Sequence, residues 1–311
     1  SMGGLVTSAL AERHAELLDG AMTICASSMG TLPMMNMAFD GAFALTTLIP
    51  ADPPVPVVGH GDNFDGVERQ IEAMGVARRS PEGRARVALA GVLGGIPGWT
   101  QPGQLKPGAT AFSAQEEQIA AAAQRGLFLP RGDQESRSGG VYSWNTGINY
   151  ADLLEASGRS DLVRALYEEA GLDLAADIER LNSSARVEAN ESAVDYMRAN
   201  FTPTGRIGVP LLSVHTIGDG MTSPSLQRSY LEKIREAGFG GLANGLWIDR
   251  AGHCTQTGAE MLAALNLLVA RLDSGEWPTG MEAGEGAGDL EFTDDAAPPT
   301  PRSAAGMEVR P

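Results

Sequence analysis

The feature that most constrains the fold is an alternation of apolar strands and helices in the last third of the chain. VPLLSVHT (209–216) and LANGLWIDR (242–250) are apolar runs of strand length, and a long helical pattern follows each of them. This order is typical of parallel strands joined by right-handed crossovers. AMTICA (21–26), which follows a helical pattern that stops at Asp19-Gly20, adds a third strand. The sequence therefore predicts an α/β fold with a parallel sheet.

The rest of the chain divides by the character of its sequence. Residues 34–205 are dominated by helical patterns that Pro and Gly interrupt, which predicts a helical insertion folded as a cap over one edge of the sheet. Residues 278–311 have no periodicity and are rich in Pro, Gly, Ala and acidic residues, which predicts a disordered acidic tail. We therefore expect core segments at 1–33 and 206–277.

The charge balance excludes several classes of function. With 23 basic and 39 acidic residues the formal net charge is -16, which disfavours nucleic acid and anionic lipid as partners. The sequence has no apolar run of membrane-spanning length and no Gly-rich phosphate-binding loop. We therefore expect no membrane span, no nucleic-acid partner and no cofactor.

Three loops carry residues suited to nucleophilic catalysis. Ser1-Met2-Gly3 opens a helix, as the second half of a G-x-S-x-G motif does, although Ser1 could also be a plain N-cap or a residue without function. Asp219 follows a strand in a Gly-flanked turn, where it could equally be a turn former. His253 follows the next strand and precedes the next helix, where a capping or loop histidine is the alternative.

The other histidines are weaker candidates. His14 belongs to the first helix, and His215 lies on or beside a strand, where a satisfied core histidine, buried and hydrogen-bonded, is the usual finding. The run before His60-Gly61 imitates an oxyanion loop, but it lies after Ser1 in the chain and is discounted. His60 and Asp62 are too few ligands for a metal, so no metal site is expected.

The order Ser1, Asp219, His253 resembles the triad order of the α/β-hydrolases. SMGGLVTSALAERHAELLDGAMTIC is similar to their nucleophile loop, helix and next strand, LLSVHTIGDGMTSP to their acid loop, and RAGHC to their histidine loop. The resemblance covers about residues 1–50 and 204–277. It implies the carboxyl-terminal half of a capped, secreted-type bacterial serine hydrolase, with Ser1 as nucleophile and the Met2 N–H as one oxyanion donor.

Members of that superfamily have several strands before the nucleophile, and this sequence has none. The resemblance therefore implies a chain that starts within the motif, through truncation or through cleavage. Truncation is favoured, because cleavage there would free the residue whose strained geometry the fold has to enforce. We expect little activity from this chain alone. The preceding segment, as a separate chain, is a potential partner.

The two cysteines leave three alternatives open. Cys25 ends the first strand and Cys254 directly follows His253, so both are expected near the catalytic edge. A Cys25–Cys254 disulfide would hold the histidine loop and would favour a secreted or extracytoplasmic location. Some tannase-like and feruloyl-esterase-like relatives instead pair the Cys after the His with a Cys just before the Ser. Two free, buried thiols are the third alternative.

The predicted activity is hydrolysis of a carboxylic ester or amide, with a small ester or a short peptide as substrate. Tyr142, Trp144 and Tyr150, in an aromatic loop of the insertion, are candidate substrate contacts, although a packed loop is an equal alternative. The function alternatives are an acyltransferase with the same triad, a non-catalytic binding module on a hydrolase scaffold, and an N-terminal-nucleophile amidase. The helix that follows Ser1 disfavours the last.

Overall fold

A mixed four-stranded sheet forms one part of the molecule. The computed structural model describes residues 1–59, 66–278 and 292–293. Strands β1 (Ala21–Ile24), β2 (Leu211–Gly218) and β3 (Ala243–Ala251) are parallel, in register Ala21↔Leu211↔Ala243. β4 (Phe292–Thr293) pairs antiparallel with β3. The predicted α/β fold with a parallel sheet is thus confirmed, while β4 was not predicted.

Helices make up most of the remaining described chain. In chain order they are α1 (Met2–Arg13), α2 (Thr31–Leu48), α3 (Val67–Ala77), α4 (Pro81–Leu93), α5 (Phe112–Leu127), α6 (Gly132–Ser138), α7 (Tyr150–Ala156), α8 (Ser160–Glu169), α9 (Leu174–Ser183), α10 (Glu191–Phe201), α11 (Pro224–Glu236) and α12 (Gly258–Ser274). Short 3-10 turns at Ala15–Leu17 and Gly240–Leu242 precede β1 and β3.

The sheet carries helices on both faces. Alternate residues of a strand point to opposite sides. On one side Leu211 packs with residues of α1 and α11, such as Ala11 and Ile234. On the other, Leu212 and Val214 pack against α12. This layering explains why the strands read as continuous apolar runs, because a strand covered on both faces has no solvent-facing side.

Helices α2 to α10 (31–201, the helical region) enclose a separate core. It is built from aliphatic side chains of α2, α4 and α5 together with residues of α7, α8 and α9. The carboxylate of Glu116, with no solvent exposure, accepts hydrogen bonds from Arg78 Nε at 2.6 Å and Arg84 Nε at 2.9 Å. Asp177 likewise accepts from Arg86 Nε at 2.8 Å and from the Tyr167 hydroxyl at 3.0 Å.

Most of the tail predicted to be disordered, 278–311, lies outside the described residues, and two of its residues, Phe292 and Thr293, form β4. Within the described ranges, no helix combines the length and the hydropathy that a membrane crossing needs.

Candidate functional site

The carboxyl ends of the three parallel strands bring the predicted site residues to one edge of the sheet. Cys25 follows β1, Asp219 follows β2, and Gly252-His253 follows β3. Helix α1 begins at this edge, since a Cβ at Gly4 would lie 2.4 Å from Ala26 Cβ, just beyond β1. Ser1 occupies the N-cap position at this end of α1. Helix α1 therefore approaches the residues after β1 most closely at Gly4, where only a small residue fits. Gly3 has open space around it.

Asp219 is fully buried and held by its own loop. Its Oδ1 accepts the backbone N–H groups of Met221 at 2.9 Å and of Thr222 at 3.0 Å. Its Oδ2 lies 2.7 Å from Nδ1 of His253. The turn-forming role and the histidine contact therefore coexist, because each uses a different carboxylate oxygen.

His253 is placed by a loop whose backbone is tightly constrained. Gly252 has φ 100°, a conformation that favours glycine, and a Cβ there would lie 2.6 Å from Pro102 Cγ. Beyond the loop, Thr257 and Glu260 form a capping box at the start of α12. Arg250 donates to both oxygens of the buried Glu260, at 2.6 and 2.8 Å. The two ends of the histidine loop are thus joined by an ion pair.

Thr222 is a site residue that the sequence reading missed. Its Oγ1 lies 2.8 Å from Asp219 Oδ2, 3.1 Å from His253 Nδ1 and 3.2 Å from the carbonyl oxygen of Cys25. One hydroxyl thus contacts the ends of all three parallel strands. The available signal was its position three residues after a turn aspartate, a spacing at which a hydroxyl and a carboxylate can meet.

Ser1 lies on the surface at the start of α1, and its side chain makes no capping hydrogen bond. Met2, the predicted oxyanion donor, has a side chain that is largely exposed.

His215 is a second histidine beside the acid. It has no solvent exposure, and its Nε2 lies 3.9 Å from Asp219 Oδ2. Neither ring nitrogen has a hydrogen-bond partner among the described residues. Burial lowers the pKa of His215 to about 4; Asp219 opposes this shift, while His253 adds to it. The interpretation of His215 as a satisfied core histidine was right about burial and wrong about hydrogen bonds, since neither ring nitrogen has a partner among the described residues. It also did not anticipate the proximity of His215 to Asp219.

A disulfide joins Cys25 to Cys254, with the Cα atoms 5.5 Å apart. It connects the end of β1 to the residue after His253, so of the three alternatives the first is confirmed. Both cysteines adopt positive φ, 42° and 52°. The Sγ atoms and a ring nitrogen of His253 lie within 4.8 Å of one another. Bridged sulfurs are not the thiolates that bind metals, so this group does not suit zinc.

A cleft of about 340 Å³ opens beside His253. It is lined by the 100–102 turn, by α5, by the acid loop and by the histidine loop: Thr100, Gln101, Pro102, Ala121, Ala122, Arg125, Gly220, Met221, Gly252, His253 and Thr255. The turn is fixed to α5, since the backbone N–H groups of Thr100 and Gln101 both donate to Gln118 Oε1. The cleft is large enough for a small-molecule substrate.

The aromatic loop lies elsewhere. Tyr142 and Trp144 are buried against α2 and α10, and Tyr150 stacks on Phe43 with ring centroids 5.6 Å apart. None of these three candidate substrate contacts lines the cleft, which agrees with the packed-loop alternative. His60 and Asp62 lie outside the described residues.

Comparison with known proteins adds one relative. The chain is 33% identical to a protein named o-phthalyl amidase from Xanthobacter agilis, over an alignment that covers 90% of this chain and 67% of that protein. The chain belongs to the family of this amidase. Membership supports a hydrolytic enzyme, one that acts on amide or ester bonds in general. A scan against family models finds no match. No solved structure matches either.

Proposed function

We propose that this member of the amidase family is a serine hydrolase of the α/β-hydrolase type that cleaves a carboxylic amide or ester through Ser1, Asp219 and His253. The observation that carries the proposal is the 2.7 Å contact between His253 Nδ1 and Asp219 Oδ2, at the sheet edge where the helix that follows Ser1 begins. Parallel strands flanked by helices on both faces also suit that superfamily.

The roles of the acid and the base follow from which nitrogen the acid contacts. With the proton on Nδ1, His253 donates to Asp219, and the lone pair of Nε2 is available as a general base. Asp219 stabilises the imidazolium that forms when Nε2 gains a proton. The two N–H groups on Asp219 Oδ1 and the Thr222 hydroxyl hold the carboxylate in place.

The proposed reaction has two stages. Ser1 Oγ attacks the substrate carbonyl carbon while His253 Nε2 takes the serine proton, and His253 then protonates the leaving amine or alcohol. Water attacks the resulting acyl-Ser1 by the same route and releases the carboxylic acid. The Met2 N–H, at the start of α1, is the proposed donor to the oxyanion.

The helical insertion, 34–205, is proposed to act as a cap. Support comes from the cleft, since Ala121 and Ala122 of α5 line it together with His253. The relative's name indicates an amidase of phthalyl compounds, so aromatic acyl amides are the first substrates to test.

The test compares Ser1→Ala and His253→Ala with two matched controls, in the protein as its gene encodes it. Thr7→Ala changes an exposed hydroxyl on the same helix, and His14→Ala changes an exposed histidine. Release of 4-nitroaniline from aryl amides should fall by about 10⁴-fold or more in the two site variants and remain within about twofold in the controls. Equal turnover by Ser1→Ala would rule out the proposed nucleophile. Predominant transfer of the acyl group to added amines would instead indicate the acyltransferase.

A further inference from the structure

Arg125 lines the same cleft as His253. It lies in the last turn of α5 and its side chain is exposed to solvent. No hydrogen bond or ion pair of its guanidinium is found among the described residues. In this respect it differs from Arg78 and Arg84 of the same region, which share the carboxylate of Glu116. The structural role that remains for Arg125 is that of a positive charge at the carboxyl end of α5, where it interacts favourably with the helix dipole.

The position of Arg125 is fixed relative to the catalytic acid. A Cβ at Gly126 would lie 2.5 Å from the carbonyl oxygen of Gly220, and a Cβ at Gly220 would lie 2.6 Å from Ala122 Cβ. Helix α5 thus packs directly on the residue that follows Asp219. Because Arg125 is the neighbour of Gly126, its Cα cannot move far from the acid loop without separating these backbones.

The charges of the cleft favour an anion. Of the residues that line it, only Arg125 and His253 can carry charge, and both charges would be positive. Among the described residues no carboxylate lines it, although the whole chain has 39 acidic and 23 basic residues. The alanines of α5 offer an apolar wall next to this cation. An apolar acyl group that carries a carboxylate is complementary to both.

We propose that Arg125 binds a carboxylate on the acyl portion of the substrate, so that the cleft selects amides or esters of dicarboxylic acids over neutral analogues. This inference rests on the proposed function and names a specificity residue for it. A guanidinium pairs with a carboxylate through two parallel N–H···O bonds, which also orients the acyl group toward His253.

The test uses one pair of substrates and four proteins. The substrates are the mono-4-nitroanilide of phthalic acid and the 4-nitroanilide of benzoic acid, which differ by one carboxylate. The proteins are the wild type, Arg125→Gln, Arg125→Lys and the matched control Arg180→Gln. Arg180 is also an exposed last-turn helix arginine, and it does not line the cleft. Each variant is compared with wild type on the same substrate, so differences in intrinsic reactivity cancel.

Arg125→Gln should lower kcat/KM for the phthalic substrate about tenfold, mainly through KM, and change the benzoic substrate less than twofold. Arg125→Lys should fall between Gln and wild type, and Arg180→Gln should match wild type. An equal loss on both substrates, or the same loss in Arg180→Gln, would overturn the inference.

A binding measurement separates this inference from the proposed function. Calorimetric titration of phthalate and of benzamide into Ser1→Ala protein, with and without Arg125→Gln, needs no turnover. Phthalate binding that weakens about tenfold with Arg125→Gln supports the inference, even if neither anilide is hydrolysed. The absence of hydrolysis would refute only the proposed function. Phthalate binding that is absent, or unchanged by Arg125→Gln, overturns the inference whatever the turnover.

Discussion

The helical region and the sheet region (1–30 and 207–278) are stabilised in different ways. The helical region buries an extensive aliphatic core and places two charged networks, around Glu116 and Asp177, inside it. The sheet region has smaller apolar clusters and leaves one face of α12 open, where five apolar side chains are 39–59% exposed: Met261, Leu262, Leu265, Val269 and Leu272. Hydrogen bonds and one covalent cross-link hold the ends of its strands. The proposed chemistry thus lies in the region that depends less on burial.

The largest expected effect on stability is that of removing the disulfide. A Cys25→Ser/Cys254→Ser double variant should lose about 4 kcal/mol of unfolding free energy, because a cross-link between residues 229 apart restricts the unfolded chain strongly. Urea denaturation measures the loss. Hydrogen exchange by mass spectrometry should show weaker protection in β1 and β3 and unchanged protection in α4.

Equal loss of protection in both regions would contradict the view that they are stabilised separately, since it would mean that they unfold as one cooperative unit. The matched control is mild reduction of the wild-type protein followed by reoxidation, which should restore the original protection.

The second expected effect is that of breaking the network in the helical region. Glu116→Gln should lower the free energy of unfolding by about 3 kcal/mol, because two half-buried guanidinium groups lose their shared carboxylate. The matched control is Glu117→Gln, which neutralises the next residue. Glu117 is 62% exposed and 3.5 Å from Arg84, so its loss should cost no more than about 0.5 kcal/mol. Equal costs for the two variants, measured in urea, would contradict the buried-network interpretation.

The smallest expected effect concerns acid stability of the sheet region. The pKa of His215 is about 4 in the folded chain and near 6.5 when unfolded, so the unfolded state binds the proton first as the pH falls. The contribution of neutral His215 to the free energy of unfolding is fully present above pH 6.5 and declines toward pH 4. Between pH 7 and pH 5 the decline is about 2 kcal/mol. His215→Gln and His215→Phe should both lack this part of the decline.

Urea denaturation at pH 7, 6 and 5 measures that slope. In wild type, the charges of Asp219 and His253 also act on His215. The His14→Ala variant, which removes an exposed histidine, should retain the full slope. If the His215 variants lose as much stability between pH 7 and pH 5 as wild type does, the loss does not come from protonation of His215.

Sequence patterns predicted the parts of the site that depend on local order. Asp219 and His253 were identifiable because each follows an apolar strand and precedes a helix, and parallel strands end at one edge. The three roles of the Thr222 hydroxyl were not identifiable, since they depend on strand ends that are distant in sequence. The pairing of the cysteines was left open for the same reason.

The cleft was beyond sequence reasoning for a different physical reason. Arg125 belongs to a helical pattern with no local signal of function, and only the packing of Gly126 on Gly220 places it beside the acid loop. Tyr142 and Trp144 show the converse. Their aromatic, Gly-rich loop resembled a binding loop, but such side chains also fill cores, as these two do.

Because Gly126 packs on Gly220, the wall of the cleft and the proposed acid and base belong to different elements, and evolution can change them independently. One wall of the cleft comes from α5, while the proposed acid and base come from loops after β2 and β3. Substitutions at Ala121 or Arg125 can reshape the wall without touching the hydrogen bonds between Asp219 and His253. Under the proposed function, related chains can therefore diverge in the acyl groups they bind while the contacts between Asp219 and His253 stay the same.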